Sequence, residues 1–184
     1  RVISNKSTGK LGKTIAMLSL LSGAQVTLIS TVDIEDCGYA SVINVKTSDE
    51  MSDMVEKHFK DCDYLIKAAA VSDFKVVGDN GKIKRQKQLN LNLTATNDIL
   101  RMVAKKKTKQ KVIGFCLAEQ ENLKKVAIEK CKSKHCDFII ANPLDSFGKN
   151  ERTILICDKE QVLSEYKEIS LHETAFQILS LISV

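Results

Sequence analysis

Val112-Ile-Gly-Phe-Cys-Leu117 reads as a strand, Asn122 to Lys134 as a helix, and Asp137-Phe-Ile-Ile-Ala141 as a second strand. Short apolar runs on either side of a helical segment mark a strand–helix–strand unit. Parallel strands need such a crossover, so this stretch decides the fold class. The alternation continues outward. Upstream, Leu11, Ile15, Leu18 and Leu21 recur at helical spacing, with Gly23 as the stop. Strands follow at Gln25 to Ser30 and Val42 to Val45. Thr47-Ser-Asp-Glu50 forms a capping box, with Thr47 as N-cap and Glu50 reaching back, before a helix carrying Met51, Met54, Val55 and Phe59. Asp63 to Ala70 reads as a buried strand ending in small residues, and Leu89, Leu91 and Leu93 alternate as a half-buried strand. Asn97 to Lys107 is helical, with Ile99, Leu100 and Val103 inward. Downstream, Arg152 to Cys157 and Gln161 to Leu163 make a hairpin, and Leu171 to Ile182 closes as an amphipathic helix. The reading is one α/β domain over residues 1–184 with a largely parallel sheet.

Composition agrees. At about 150 residues per domain, 184 residues make one domain with a core of its own. Hydrophobic residues are 43% and charged residues 28%, the balance of a soluble globular chain. No apolar run approaches the roughly 20 residues of a membrane span, so no membrane partner is expected. No signal peptide opens the sequence, which leads to a cytoplasmic expectation. The net charge of +5 suits an enzyme of anionic metabolites. Aromatics are 5% with no Trp, too few for a stacking platform, so no nucleic-acid partner is expected. The six cysteines, at 37, 62, 116, 131, 136 and 157, form no C-x-x-C and read as reduced thiols. Cys131, His135 and Cys136 lack the second ligand pair of a structural zinc site.

Several segments carry charge or turn chemistry. Ser7-Thr-Gly-Lys-Leu-Gly-Lys-Thr14 opens a helix and looks like a phosphate loop, but Ser7 stands where that motif needs glycine. Asp73, Glu119 and Asn142 follow strand ends, where ligands of open α/β sheets gather. For each alone, a cap or turn role is the simpler account. Lys82-Ile-Lys-Arg-Gln-Lys87 packs four cations into six residues after a glycine turn and suits a triphosphate. Lys105 to Lys111, with five lysines in seven residues, reads as a solvated helix end. Lys130 and Lys134 are neighbours on one helix face. His58, His135 and His172 have no evident catalytic partner, which points to a site working by charge and orientation.

In order along the chain stand Arg1-Val-Ile-Ser-Asn-Lys-Ser-Thr-Gly-Lys-Leu-Gly12, Ala68-Ala-Ala-Val-Ser-Asp-Phe74, Lys82-Ile-Lys-Arg85, Asp98-Ile-Leu100, Gly114-Phe115 and Ala141-Asn142. With these motifs the chain resembles the phosphopantothenoylcysteine synthetase (phosphopantothenate–cysteine ligase) family over nearly its whole length. The resemblance implies a Rossmann-like fold, a homodimer and a reaction of coenzyme A biosynthesis. In it CTP or ATP, with Mg²⁺, activates 4′-phosphopantothenate as an acyl-nucleotidylate before cysteine attacks. By the same resemblance, Asn5 acts on that intermediate, and Arg1, Ser7 and Gly9 join it on the phosphopantothenate side. Lys82 grips the triphosphate. Asp73 meets the nucleotide or its metal. Lys67, Ala68, Ala69, Asn97, Asp98, Ile99, Leu100, Phe115, Lys130 and Lys134 line the nucleotide pocket.

The sequence departs from the family pattern in places. Thr96-Asn-Asp98 replaces Asn-Pro-Asp, and Gly114-Phe-Cys-Leu-Ala-Glu119 replaces Gly-Phe-Ala-Ala-Glu-Thr with one extra residue. The strand and Gly-rich turn that open the family, and the flavin-binding decarboxylase often fused upstream, are not in the sequence. A stand-alone ligase without FMN is the expectation, and a catalytically silent nucleotide-binding protein of the same fold is the alternative.

Overall fold

The computed structural model describes residues 8–34, 38, 40–77, 90–146 and 151–182. Helix α1 (Lys10–Leu21) leads to the paired parallel strands β1 (Thr27–Ser30) and β2 (Ser41–Asn44). After α2 (Ser48–Phe59) come β3 (Tyr64–Ile66) and the ribbon β4 (Phe74–Val76) and β5 (Leu93–Ala95). Then follow α3 (Ile99–Ala104), β6 (Lys111–Ala118), α4 (Leu123–Lys134), β7 (Phe138–Pro143), the hairpin β8 (Arg152–Cys157) and β9 (Val162–Ile169), and α5 (Leu171–Ser180). The five-stranded sheet runs β3-β6-β7-β8-β9, parallel as far as β7 and antiparallel beyond it. The fold is an α/β architecture, as the alternation of elements predicts, and it has the Rossmann-like form that the family resemblance implies.

Alternation along the strands builds two cores, one on each face. Cys116, Ile139, Ala141, Leu155 and Cys157 face α2, α3 and α4. Ile113, Ile140, Ile154 and Ile156 face α1 and α5. A strand covered on both faces reads as an unbroken apolar run, which is why β7 was legible. Each isoleucine among these residues, fully buried, is worth about 1.5–3 kcal/mol. Gly114 has a steric reason. A Cβ there would lie 2.6 Å from Leu100 Cδ2 and 2.9 Å from Ile139 Cδ1, so glycine lets α3 settle onto β6.

The helix ends follow local chemistry. Gly23, at φ 84°, closes α1: its N–H donates to Leu20 O and the Ala24 N–H to Ser19 O. Thr47 caps α2 by accepting from the Glu50 N–H at 3.1 Å. The expected return bond is displaced: Glu50 accepts from the Lys46 N–H, one residue before the cap. Ser170 and Glu173 form the complete reciprocal box at α5.

Four expectations are corrected. Leu91 and Leu93 lie on no half-buried strand; they are exposed, because among the described residues β5 pairs only with β4 and no layer covers the ribbon. Leu89 lies outside the described residues. The α3 helix is shorter than Asn97 to Lys107 because Asp98 caps it and it ends at Ala104. The lysines of 105–111 are not simply solvated: Lys106 pairs with Glu56, Lys107 and Lys111 with Asp137, and Lys109 with Asp63. The second hairpin strand runs past Leu163 to Ile169.

Cys116, Cys131, Cys136 and Cys157 are free and buried, and Cys62 is free and half-buried. Burial pushes Cys131 and Cys157 up to about 11 and Cys136 to about 12, so these thiols stay protonated near neutral pH. The Cys131 thiol donates to the Cys136 carbonyl. Cys37 lies outside the described residues.

Candidate functional site

Because β3, β6 and β7 are parallel, their carboxyl ends share one edge of the sheet, and antiparallel β8 begins at that same edge. The edge gathers most of the described candidate residues. Lys67 directly follows β3, and its N–H donates to Ile113 O at 2.9 Å, extending the β3–β6 pairing. Its ammonium turns back onto the Ala69 carbonyl at 2.9 Å. Half-buried Ala68 and Ala69 leave room there, and Ala69 packs against the α2–α4 core. Asp98 Oδ1 accepts from the Arg101 N–H at 3.1 Å, capping α3, while Oδ2 accepts from the Lys134 ammonium of α4. Lys130 lies one turn earlier on α4.

These charges feel one another. Burial, and then the charge of Lys130, push the Lys67 ammonium below the ordinary lysine value; Asp98 and Asp73 oppose this and Lys134 adds to it. Burial works to raise the Asp98 carboxyl, but the hydrogen bonds from Lys134 and the Arg101 N–H outweigh it and hold the group below the usual range. Lys67, Lys130 and Lys134 therefore stand against Asp98 and Asp73, with Asp98 already paired. A cluster of this kind is suited to receive a polyanion.

Not every sequence candidate joins it. The side chains of Ile99 and Leu100 are buried in the core, leaving only backbone atoms there. Phe115 packs against the opposite, α1–α5 core, so its ring is on the other face of the sheet from the lysines. Asn97 is exposed beside the Asp98 cap. Asp73 precedes β4, and its carbonyl accepts from the Thr96 N–H at 3.0 Å. Asn142 donates to the Thr153 carbonyl at 3.0 Å and so ties β7 to β8. The Glu119 carbonyl accepts from the Asn122 N–H. Gly9, at φ 68°, precedes α1, where Thr8, Lys10, Lys13, Asp33 and Ile34 complete a separate cleft. Arg1, Asn5, Ser7 and Lys82 lie outside the described residues.

The whole chain, residues 1–184, matches the family described as DNA/pantothenate metabolism flavoprotein C-terminal domain. The chain belongs to this family. The coenzyme A biosynthesis bifunctional protein CoaBC of Borreliella burgdorferi is 38% identical over 187 aligned residues, covering 99% of this chain and 48% of that protein. Its Bacillus subtilis counterpart is 34% identical, covering 97% of this chain and 46% of the relative. The chain thus spans about half the length of these relatives. The crystal structure of the C-terminal domain of a CoaBC protein superposes with a TM-score of 0.81 at 28% identity, covering 99% of this chain and 85% of that one.

In this member of the family, one further cation sits at the same edge. Arg152 is the first residue of β8, next to the Thr153 carbonyl that holds Asn142. Its Nε is buried and has no hydrogen-bond partner among the described residues, and burial lowers its pKa. No motif marks Arg152 in the sequence; there it reads only as the start of an apolar strand. Among the described residues no group of three or more His, Cys, Asp or Glu could hold a metal ion, and no helix is long and apolar enough to cross a membrane.

Proposed function

We propose that this domain joins 4′-phosphopantothenate to cysteine, consuming CTP or ATP, in the cytoplasmic synthesis of coenzyme A. The observation that carries the reading is the cluster of Lys67, Lys130 and Lys134 at the carboxyl edge, in which Lys67 bonds the Ala69 carbonyl and Lys134 pairs with Asp98. Similarity to coenzyme A biosynthesis proteins supports the substrate class.

A carboxylate is a poor electrophile. In the proposed reaction its oxygen attacks the nucleotide α-phosphorus, pyrophosphate leaves, and an acyl-nucleotidylate forms. The cysteine amine then attacks the acyl carbon, and the nucleoside monophosphate departs. The three lysines neutralise phosphate charge, and the Asp98 contact fixes where Lys134 stands. Asn5 and Lys82 take the parts that family resemblance gives them, the first at the acyl carbonyl and the second on the triphosphate. Arg1, Ser7 and Gly9 take the phosphopantothenate side.

Mg²⁺ commonly binds through one or two carboxylates plus substrate phosphates rather than in an all-protein cage. The exposed carboxylate of Asp73, within the field of Lys67, fits that sparse requirement. When bound, the ion neutralises phosphate charge.

A homodimer completes the reading. On the β4–β5 ribbon, Phe74 pairs with Ala95 and Val76 with Leu93, so one face is wholly apolar and exposed. A second copy is the occupant we assign to it.

The test is pyrophosphate release by the full-length protein with 4′-phosphopantothenate, cysteine and Mg²⁺, CTP and ATP being supplied separately. Release that requires phosphopantothenate is expected. Nucleotide binding without release would replace the reading with that of a silent nucleotide-binding protein.

A further inference from the structure

Arg152 is a cation with no counterion among the described residues, and its Nε has no hydrogen-bond partner there despite being buried. A buried guanidinium donor left unmet is costly, and such groups are normally paired. The residue is also placed with care. Asn142, the last polar side chain of β7, donates to the carbonyl of the very next residue, Thr153. Across the hairpin, Arg152 pairs with Ile169 and Ile154 with Tyr166, so β9 carries one residue more than β8. Glu168, at φ 53°, lies within that bulge. Bulges re-aim side chains and favour the surroundings of active sites. Because the extra residue is on β9, alternation along β8 is kept, and Arg152 shares the face of Ile154 and Ile156 with α1 and α5. The lysine cluster lies on the other face, beside α3 and α4.

We propose that Arg152 binds an oxyanion of the acid substrate, the carboxylate or the phosphate of 4′-phosphopantothenate, at the carboxyl edge of the sheet on the α1–α5 side. This rests on the ligase reading above. It divides the edge between two ligands: the nucleotide beside the α4 lysines, and the acid beside Arg152. A guanidinium suits the task, because its planar fork matches either oxyanion with two parallel hydrogen bonds.

The experiment is calorimetric titration of the full-length protein and its Arg152→Met and Arg152→Lys variants. 4′-Phosphopantothenate and the Mg-nucleotide are titrated separately. For Arg152→Met, loss of a charge-assisted hydrogen bond should weaken 4′-phosphopantothenate binding about 10- to 100-fold. Arg152→Lys should recover part of the loss, and nucleotide affinity should stay within twofold of wild type. Two analogues separate the sources: pantothenate keeps the carboxylate without the phosphate, and 4′-phosphopantetheine keeps the phosphate without the carboxylate. A loss with either supports the proposal and names the group. Unchanged 4′-phosphopantothenate affinity, or an equal loss for the nucleotide, overturns it. A wild-type protein that binds no 4′-phosphopantothenate would overturn the ligase reading itself, and the Arg152 assignment with it. Should Arg152→Met not fold, protection of wild-type Arg152 from an arginine-selective dicarbonyl by 4′-phosphopantothenate takes its place. Protection supports the proposal, and modification at the unprotected rate overturns it.

Discussion

At the scale of single residues, Lys67 shows how a site stores charge. Its ammonium has the Ala69 carbonyl as partner and Lys130 as an unfavourable neighbour, so burial and repulsion together lower its pKa. An unfolded chain holds that proton up to the ordinary lysine value of about 10.4. Between the lowered value and that one, the unfolded state binds more protons, so this group makes stability rise with pH across that window. A polyphosphate beside Lys67 and Lys130 would offset the repulsion and favour the protonated form. Nucleotide binding in that window should therefore take up protons, measurable by titration calorimetry in buffers of different ionisation enthalpy. Lys67→Met should abolish the uptake, and an identical uptake in that variant would contradict the assignment. Gly114 makes the complementary point about packing. Gly114→Ala drives a methyl into Leu100 and Ile139, both buried, and should cost about 1–3 kcal/mol by urea denaturation. A smaller side chain at position 100 should recover part of that cost, since the two positions share one space. An unchanged urea midpoint for Gly114→Ala would show that the core gives way more easily than the contacts suggest.

At the scale of elements, what was legible in the sequence is what burial writes there. The strands of the central sheet announce themselves because cover on both faces demands apolar residues at successive positions. The β5 segment misleads for the same reason. Alternation records that one face avoids water, and it does not say whether the chain itself supplies the cover. The lysines of 105–111 were opaque because their partners, Glu56, Asp63 and Asp137, are far away in sequence. Arg152 was opaque because an unmet Nε is a property of packing, not of residue type. Among those partners Asp137 has the most to do. Its Oδ2 accepts from the Val112 N–H at 2.8 Å and from the Lys107 ammonium at 2.8 Å, joining the start of β6 to the residue before β7. Asp137→Ala leaves a fully buried Val112 N–H unmet and should cost about 1–3 kcal/mol in denaturant unfolding. Asp137→Asn keeps an acceptor and should lose less. Equal losses in the two variants would assign the effect to charge alone.

At the scale of the whole molecule, the ribbon has a face that the described residues leave open. A two-stranded ribbon is marginal in water, and this one turns Phe74, at 59% exposure, and Leu93, at 58%, outward on the same face. Lys75, between Phe74 and Val76 on β4, instead pairs with Asp49 of α2, which ties the opposite face to the domain. The apolar face is thus presented outward, and a self-complementary pairing of two such faces is the simplest closed solution, since it satisfies both copies at once. Asp73 directly precedes β4, and Thr96, directly after β5, donates to both the Ser72 and Asp73 carbonyls. Pairing would therefore brace the segment that carries Asp73, the carboxylate proposed above for the metal–nucleotide. Phe74→Asp should shift the protein from dimer to monomer in sedimentation velocity, because it places two carboxylates in the new interface. It should also weaken nucleotide binding by loosening the Asp73 turn. Lys75→Ala, on the opposite face, should leave the dimer intact. A Phe74→Asp protein that remains dimeric would place the interface elsewhere, and a dimer lost with nucleotide affinity unchanged would separate assembly from the site.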